Sequence, residues 1–457
     1  MKRLLDRPKE ECGVFGILNH SEAANMSYLG LYALQHRGQE GAGIVCSDGK
    51  MLYQERGVGL VNDVFDKERL KRLQGIHAIG HVRYSTQGDQ HLKNIQPFLF
   101  NYSHGWLSIA HNGNLTNAVK LRRELEQAGS IFQTTSDTEI IVHLIARSQK
   151  EKLLDRIIEA LSQIKGAFSL LFLTENVLIA VRDTYGFRPL MLGNLENSPV
   201  IASETSAFDL IGARLVREVE PGEILVIDEK GIESVRPFPK TDIKQCIFEH
   251  IYFSRPDSVV FGENVYQMRV QLGKKLAIEQ PAEADIVVPV PDSGVPAAIG
   301  YAEQLKIPFQ MGIIRNHYVG RTFIEPEQAI RNFGVKIKLN PIQEVLKGKR
   351  LVVIDDSLVR GTTSKKIIHM LRASGAKEIH VRISAPPTVG PCYYGIDTPV
   401  KSELIASSHS VEAIRKFIGA DTLGYLSLEG LKQTIDQGKR RYCSACFDNS
   451  YPMLPED

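Results

Sequence analysis

RLVVIDDSLVRGTTS, residues 350–364, is the stretch on which the fold of the chain turns. An apolar run of strand type ends in two adjacent acids, Asp355 and Asp356. It then passes through a short loop holding Ser357 and Gly361 and enters the helical segment KKIIHMLRASG. A helix N-terminus offers unpaired N–H groups and the positive end of its dipole, so a loop that runs into one suits a phosphate. Thr362, Thr363 and Ser364 add hydroxyl donors, and Gly361 lets the backbone approach closely. The two acids lie at the carboxyl end of a strand, where open α/β sheets bind their ligands. There they could take sugar hydroxyls, or Mg²⁺ directly or through its waters.

Around this stretch the pattern alternates. Strand-like DIVVPVP, FQMGIIR, RLVVIDD and EIHVRIS are separated by helical segments at 295–305 and 363–373, the second placed for capping by Gly375. That alternation predicts a parallel sheet covered on both faces. VVPVPDSGVPAA at 287–298 reads as a second turn able to cradle a diphosphate, with Ser293 near its metal. RNHYVGRTFIEP at 315–326 is a basic segment of little periodicity, read as a lid, and the tail from about residue 402 reads as helices.

Before residue 240 the pattern differs. Short apolar runs such as GVFGIL, GAGIVC, HAIGHVRYST, LSIAHNG, SLLFLT, VLIAVRD and EILVID are punctuated by Gly, Asn and Asp. Helical patterns occur at 117–128 and 136–161, the latter with Asp137 and Glu139 in its first turn. Such a mixture predicts stacked, largely antiparallel sheets with helices laid on them. The boundary falls in RPFPKTDIK, 236–244.

Composition excludes several classes. With 457 residues, 43% hydrophobic and 24% charged, the chain is an ordinary globular one of two or three domains. A net charge of +2 gives no nucleic-acid footprint. No window approaches the roughly 20 apolar residues of a membrane span, and the first residues lack the apolar segment of a secretory signal. Six cysteines are too few for a disulfide scaffold, and their grouping points to chemistry or metal binding in a reducing compartment, the cytoplasm.

One of the six, Cys12, follows eleven residues of which seven are charged and opens the first strand-like run, ECGVFGILNH at 11–20. Four others are Cys246, Cys392, Cys443 and Cys446; only the C-x-x-C of CSACF forms a close pair. On spacing alone these four allow a structural zinc, an iron–sulfur cluster, or two ligands with two inert thiols. Cys46 reads as a small buried hydrophobe.

The loop from Asp355-Asp356-Ser357 to Ser364 resembles the phosphoribosyl-pyrophosphate loop of type I phosphoribosyltransferases, and the first half resembles class II glutamine amidotransferases. In this order the halves are similar to the glutamine phosphoribosylpyrophosphate amidotransferase family over nearly the whole chain, CIFEHIYFSRPDS at 246–258 included. His317 departs from it, since many relatives have Arg in the lid. The resemblance implies an αββα sandwich at 12–240, followed at 241–457 by an α/β type I phosphoribosyltransferase domain with a helical tail. Residues 1–11 would be a cleaved leader, removed by the precursor itself.

The implied chemistry has two sites. Cys12, once N-terminal, would use its α-amine, of unperturbed pKa about 7.7–8.0, as the base for its own thiol; an amide nitrogen could not serve. The resemblance assigns Arg83 and Thr86 of HVRYST, with Arg37 of QHRGQE, to glutamine binding, Arg83 taking the α-carboxylate. It assigns Asp137 to the α-ammonium, and the Asn112 side chain with the Gly113 N–H to the oxyanion hole. At the second site Asp355, Asp356, Ser357, Gly361, Thr362, Thr363 and Ser364 would bind phosphoribosyl diphosphate, with Mg²⁺ at Ser293, Asp355 and Asp356. The four remaining cysteines match the contexts of a branch carrying one structural [4Fe–4S] cluster. The family also implies feedback inhibition by purine nucleotides, a homotetramer, and an internal ammonia channel completed by the lid.

Two rival readings stand beside this one. A glucosamine-phosphate synthase would carry sugar-isomerase halves in place of IDDSLVRGTTS. A purine-responsive phosphoribosyl-diphosphate sensor would lack the cysteine-led half and carry a basic DNA-binding element.

Overall fold

The computed structural model describes residues 12–84, 92–316, 339–396, 398, 400–436 and 441–456. In the first half two antiparallel sheets lie face to face. One has seven strands in the order Arg214–Glu218, Met191–Leu195, Ser198–Ala202, Gly13–Ile17, His77–Arg83, Gly41–Ser47, Leu52–Val58. The other has six, in the order Gly231–Val235, Ile224–Asp228, Leu178–Arg182, Gly166–Leu173, Gly105–Leu115, Phe98–Tyr102.

Alternation along each strand assigns the layers. Val14 turns inward to meet Ile79, Ala110, Leu171 and Leu178 between the sheets. Phe15 and Ile17 turn outward into a cluster with Leu31 of the helix Ala23–Ala33, and buried Cys46 joins them. On the second sheet Ile109, Leu170 and Phe172 face Leu121, Ile141 and Ile157 of three outer helices. Those helices are Ala118–Gln127, Thr138–Arg147 and Leu153–Leu161. The result is helix, sheet, sheet, helix, as expected. The single helix expected at 136–161 is two, because SQKEK at 148–152 has no apolar residue to face the sheet, and both Ser148 and Lys152 are extended.

The second half is built on a parallel sheet of four strands: Ile286–Pro289, Arg350–Asp355, Glu378–Ile383 and Thr422–Tyr425. Val287, Val352 and Ile354 pack toward Leu272, Ala298 and Tyr301, on the helices Val265–Glu279 and Val295–Leu305. Their neighbours Ile286, Val288, Leu351 and Val353 pack the opposite way, toward Ile367, Leu371, Ile414 and Ile418. Helices Thr362–Ala373 and Val411–Ile418 supply that second face.

Two expectations are corrected here. FQMGIIR is not a strand of this sheet. Phe309 makes one parallel bridge to Val287, a turn closed by Gly312 N–H on Gln310 O at 2.9 Å redirects the chain, and Ile313–Arg315 pairs antiparallel with Leu339–Pro341. The tail is not wholly helical, since Thr422–Tyr425 is the fourth strand of the sheet.

Residues 236–244 are irregular, and they lead from the sandwich to Gln245–Cys246. That two-residue strand pairs in parallel with Tyr442–Cys443, so the tail returns to the junction, beside a π-helical turn at Glu249–Phe253.

Candidate functional site

Cys12 sits at the mouth of the sandwich, one residue before the strand Gly13–Ile17. Its thiol donates to the carbonyl of Tyr84 at 3.4 Å, at the end of the strand His77–Arg83. Burial pushes the Cys12 thiol up to about 11; the Tyr84 bond and the positive charge of Arg83 work against that rise, and Glu40 and Asp137 add to it. A buried thiol of this kind is not a nucleophile unless a base stands beside it. Arg83 and Asp137, both buried, share the space around Cys12. Thr86 and the segment 1–11 lie outside the described residues.

Arg37 ties the Cys12 main chain to two buried acids. Its Nε donates to the Cys12 carbonyl at 3.2 Å, while its other nitrogens hold Glu249 at 2.7 and 3.0 Å and also pair with Glu204. Glu204 further accepts from His36 Nε2 at 2.7 Å and from Ser258 Oγ at 2.7 Å. Burial opposes ionisation of Glu204, yet the charges of His36 and Arg37 outweigh it and hold the carboxyl below its ordinary range. The sequence marked QHRGQE and CIFEHIYFSRPDS separately but not that they meet, because Arg37 and Glu249 lie 212 residues apart.

HNGN at 111–114 is not a turn; it lies within the strand Gly105–Leu115. Two bonds fix it. His81 meets the His111 carbonyl at 3.0 Å, and the Asp137 carboxylate accepts the Leu115 N–H at 2.9 Å. Between those anchors the Asn112 side chain is buried, and its Nδ2 has no hydrogen-bond partner among the described residues. A buried amide donor left unsatisfied costs about 1–3 kcal/mol, so this one is held ready for an acceptor. Gly113 must be glycine, because a Cβ there would stand 1.9 Å from the carbonyl oxygen of Ala167.

The phosphate side lies on the parallel sheet. Asp355 ends the strand Arg350–Asp355 and Asp356 follows it; both are buried. The Asp356 N–H donates to the Asp355 carboxylate at 3.0 Å, and Ser357 Oγ donates to Asp356 at 2.7 Å. Gly361 caps the helix that begins at Thr362, so Thr362, Thr363 and Ser364 form its first turn. The turn bearing Ser293 is locked to the same strand end, with Val290 N–H on the Ile354 carbonyl at 2.8 Å. The two expected cradles are thus adjacent. Residues 317–338, which include most of the segment 315–326 expected to be a lid and His317 with it, lie outside the described residues.

The four remaining cysteines converge at the junction. Cys246 and Cys443 are paired strand residues, and Cys446 takes Val389 N–H and Gly390 N–H on its carbonyl, which brings the Cys392 loop against it. The Tyr394 N–H donates to Cys392 Sγ at 3.3 Å, the kind of bond that tunes a metal-bound thiolate. Tyr185, Phe187, Tyr394 and Tyr451 wall the place in. Among the described residues no three His, Cys, Asp or Glu side chains are gathered to hold one metal ion, and no described helix is long and apolar enough to cross a membrane.

Comparison with known proteins agrees with this division. A glutamine amidotransferase domain profile matches residues 81–210, and a phosphoribosyl transferase domain profile matches 270–400. The chain is 56% identical to amidophosphoribosyltransferase 1, chloroplastic, of Arabidopsis thaliana, covering 99% of this chain and 80% of that one. It is 53% identical to the Bacillus subtilis amidophosphoribosyltransferase, covering 97% and 94%. The solved B. subtilis glutamine phosphoribosylpyrophosphate amidotransferase, complexed with ADP and GMP, superposes with a TM-score of 0.93 at 52% identity over 98% of each chain.

Proposed function

As a member of the amidophosphoribosyltransferase family, the chain makes 5-phosphoribosylamine from glutamine and phosphoribosyl diphosphate, the first step of purine synthesis, and we propose that the residues described above carry it. Once the leader is cut before Cys12, the new α-amine takes the thiol's proton. The thiolate attacks the glutamine side-chain carbonyl, held by Arg83 at the α-carboxylate and Asp137 at the α-ammonium. The oxyanion that forms accepts from Asn112 Nδ2 and the Gly113 N–H; donors of this kind contribute about 10²–10³ in rate each. Ammonia leaves, and water hydrolyses the thioester to glutamate. The unpartnered Asn112 amide beside Gly113 is the observation that carries this half.

At the second site ammonia displaces pyrophosphate from C1 of phosphoribosyl diphosphate. Ser357, Gly361, Thr362, Thr363 and Ser364 hold its phosphate at the helix start, and Asp355 and Asp356 face the ribose and diphosphate. Mg²⁺ fits beside this acid pair and Ser293, because it usually takes one or two carboxylates and completes its shell with waters and substrate phosphates. When bound it would neutralise diphosphate charge. Cys246, Cys392, Cys443 and Cys446, brought to the junction by three stretches of chain, would hold a [4Fe–4S] cluster that ties the tail to the junction.

Purine nucleotides as inhibitors, a homotetramer and ammonia transfer beneath the lid belong to the same reading; the B. subtilis complex with ADP and GMP supports the first. No two of the six cysteines are joined in a disulfide, and a cytoplasmic location belongs to the same reading. Glutamine turnover that rises on adding phosphoribosyl diphosphate, with phosphoribosylamine as product, tests the reading. Binding of the sugar diphosphate without turnover would leave only the sensor.

A further inference from the structure

The strand that carries Asn112 and Gly113 is touched from outside its own domain. Asn114 Nδ2 donates to the carbonyl of Tyr393 at 2.9 Å. Two residues on, Gly395 lies directly against Gly113, since a Cβ on Gly395 would stand 3.2 Å from both Cα and C of Gly113. It would also stand 3.1 Å from Arg188 Nη2, and the Gly395 φ of +108° is one that side chains rarely adopt. Tyr393 and Gly395 of the loop thus meet two consecutive residues of the strand, Asn114 and Gly113.

The loop is held firmly enough to act as a stop. Arg188, fully buried in the first half, donates Nε to the Tyr394 carbonyl at 3.0 Å and pairs with Glu249 at 3.6 Å. The Phe187 ring stacks on Tyr394 with centroids 4.3 Å apart. The Tyr394 hydroxyl donates to the Met453 carbonyl at 2.6 Å. Gly113 itself is backed by the Ala167 carbonyl on the neighbouring strand. The oxyanion glycine is therefore confined between its own sheet and a loop of the other domain.

We propose that Asn114 and Gly395 are positioning residues for glutamine hydrolysis: they set the Gly113 N–H where the tetrahedral oxyanion forms, and neither touches glutamine. The inference rests on the oxyanion reading of Asn112 and Gly113. Alternate strand residues share a face, so Asn114, tied to Tyr393, steadies the same face from which Asn112 Nδ2 is offered. Misplacement of a reacting geometry by about 1 Å can cost about 100-fold in rate, which is enough for a loop contact to matter.

The test uses the full processed enzyme. Asn114→Asp sets a carboxylate against the Tyr393 carbonyl, Asn114→Ala removes the bond, and Gly395→Ala presses on Gly113. Each should lower kcat for glutamine hydrolysis about tenfold or more, with KM for glutamine within about twofold and ammonia-dependent synthesis at the parent rate. Affinity for glutamate γ-semialdehyde, whose adduct with Cys12 carries the same oxyanion, should weaken in step with kcat. Should Gly395→Ala fail to fold, the two Asn114 variants decide. Parental glutaminase in folded Asn114→Asp, or equal loss of ammonia-dependent synthesis, overturns the proposal. Asn112→Ala separates the two levels: if it too keeps parental glutaminase, the oxyanion reading itself is wrong.

Discussion

The carbonyl oxygen of Cys12 accepts a hydrogen bond from Nε of Arg37 at 3.2 Å, and the same guanidinium bridges Glu204 and Glu249. The nucleophile's main chain is thereby tied to a fully buried ion cluster at the junction of the two halves. Removing one partner of a buried pair leaves an uncompensated charge and costs about 3–5 kcal/mol. Arg37→Met should lose stability of that order in chemical denaturation. Adding Glu249→Gln should return part of it, and strictly additive losses would count against the cluster as one unit.

Cys12 separates the two activities. Cys12→Ala should abolish glutamine-dependent synthesis and leave ammonia-dependent synthesis, because the parallel-sheet site needs no thiolate. Loss of both in assays at high ammonium and alkaline pH would contradict separate sites. The same variant should retain residues 1–11 if cleavage is autocatalytic, which intact mass reports. A trimmed Cys12→Ala protein from cell-free translation would point to an external protease.

What the sequence disclosed and what it hid follow the range of the interactions. The strand 350–355, its acids and the helix after it were legible because they are one continuous stretch whose apolar alternation and capping act locally. Val295–Leu305 was legible to the residue for the same reason, and the sandwich was legible from its runs of alternating residues. The strand Thr422–Tyr425 was missed because four residues between two amphipathic helices leave too short a pattern. Arg37, Arg188, Glu204 and Glu249 could not be joined from sequence, since only the folded chain brings them together. The motif QHRGQE marked Arg37 as important; the geometry adds that its guanidinium holds the Cys12 carbonyl, Glu204 and Glu249.

Asp355 and Asp356 should each be indispensable to synthesis by either nitrogen source. Asp355→Asn and Asp356→Asn should cripple glutamine-dependent and ammonia-dependent rates alike, while basal glutaminase survives and no longer rises with phosphoribosyl diphosphate. Asp355 also accepts the Asp356 N–H, a bond that asparagine can keep, so a loss in that variant is one of charge. Thermal unfolding measured beside the rates excludes a folding defect. Normal ammonia-dependent rates in both variants would refute the assignment.

Two buried histidines make the glutaminase half sensitive to acid. Burial pushes His81 down to about 3 and also lowers His111, so both are neutral when folded at pH 7. Unfolded, each would titrate near 6.5. Between that value and the lower folded pKa values, the unfolded chain binds more protons, so this stability is complete above about 6.5 and falls as the pH drops. Two such groups give a slope of up to about 2.7 kcal/mol per pH unit. His81→Gln can still donate to the His111 carbonyl but cannot titrate. Its stability should fall less steeply, by about one proton, between pH 6 and 4; an unchanged slope would mean His81 is already charged when folded.

The last prediction concerns the cysteines of the junction. Cys246 and Cys443 are register partners, Cys446 is bound through its carbonyl to residues 389 and 390, and Cys392 follows two residues later. Three separated stretches of chain thus bring these cysteines to the junction. Burial raises the Cys443 thiol to about 12 and raises Cys446 well above its ordinary value. Thiolates at such a place need cations to balance them, and metal binding supplies them. Protein purified anaerobically should therefore carry about four irons and four acid-labile sulfides per chain, with the brown colour of a cluster. Replacing any one of the four with serine should give colourless, less stable and largely inactive protein, and oxygen should inactivate the parent slowly. Cys46→Ser should keep its full iron content, because that thiol is buried alone against the helix of the first sheet. One equivalent of zinc, without iron or sulfide, would reject the cluster and leave the four-thiol site in place.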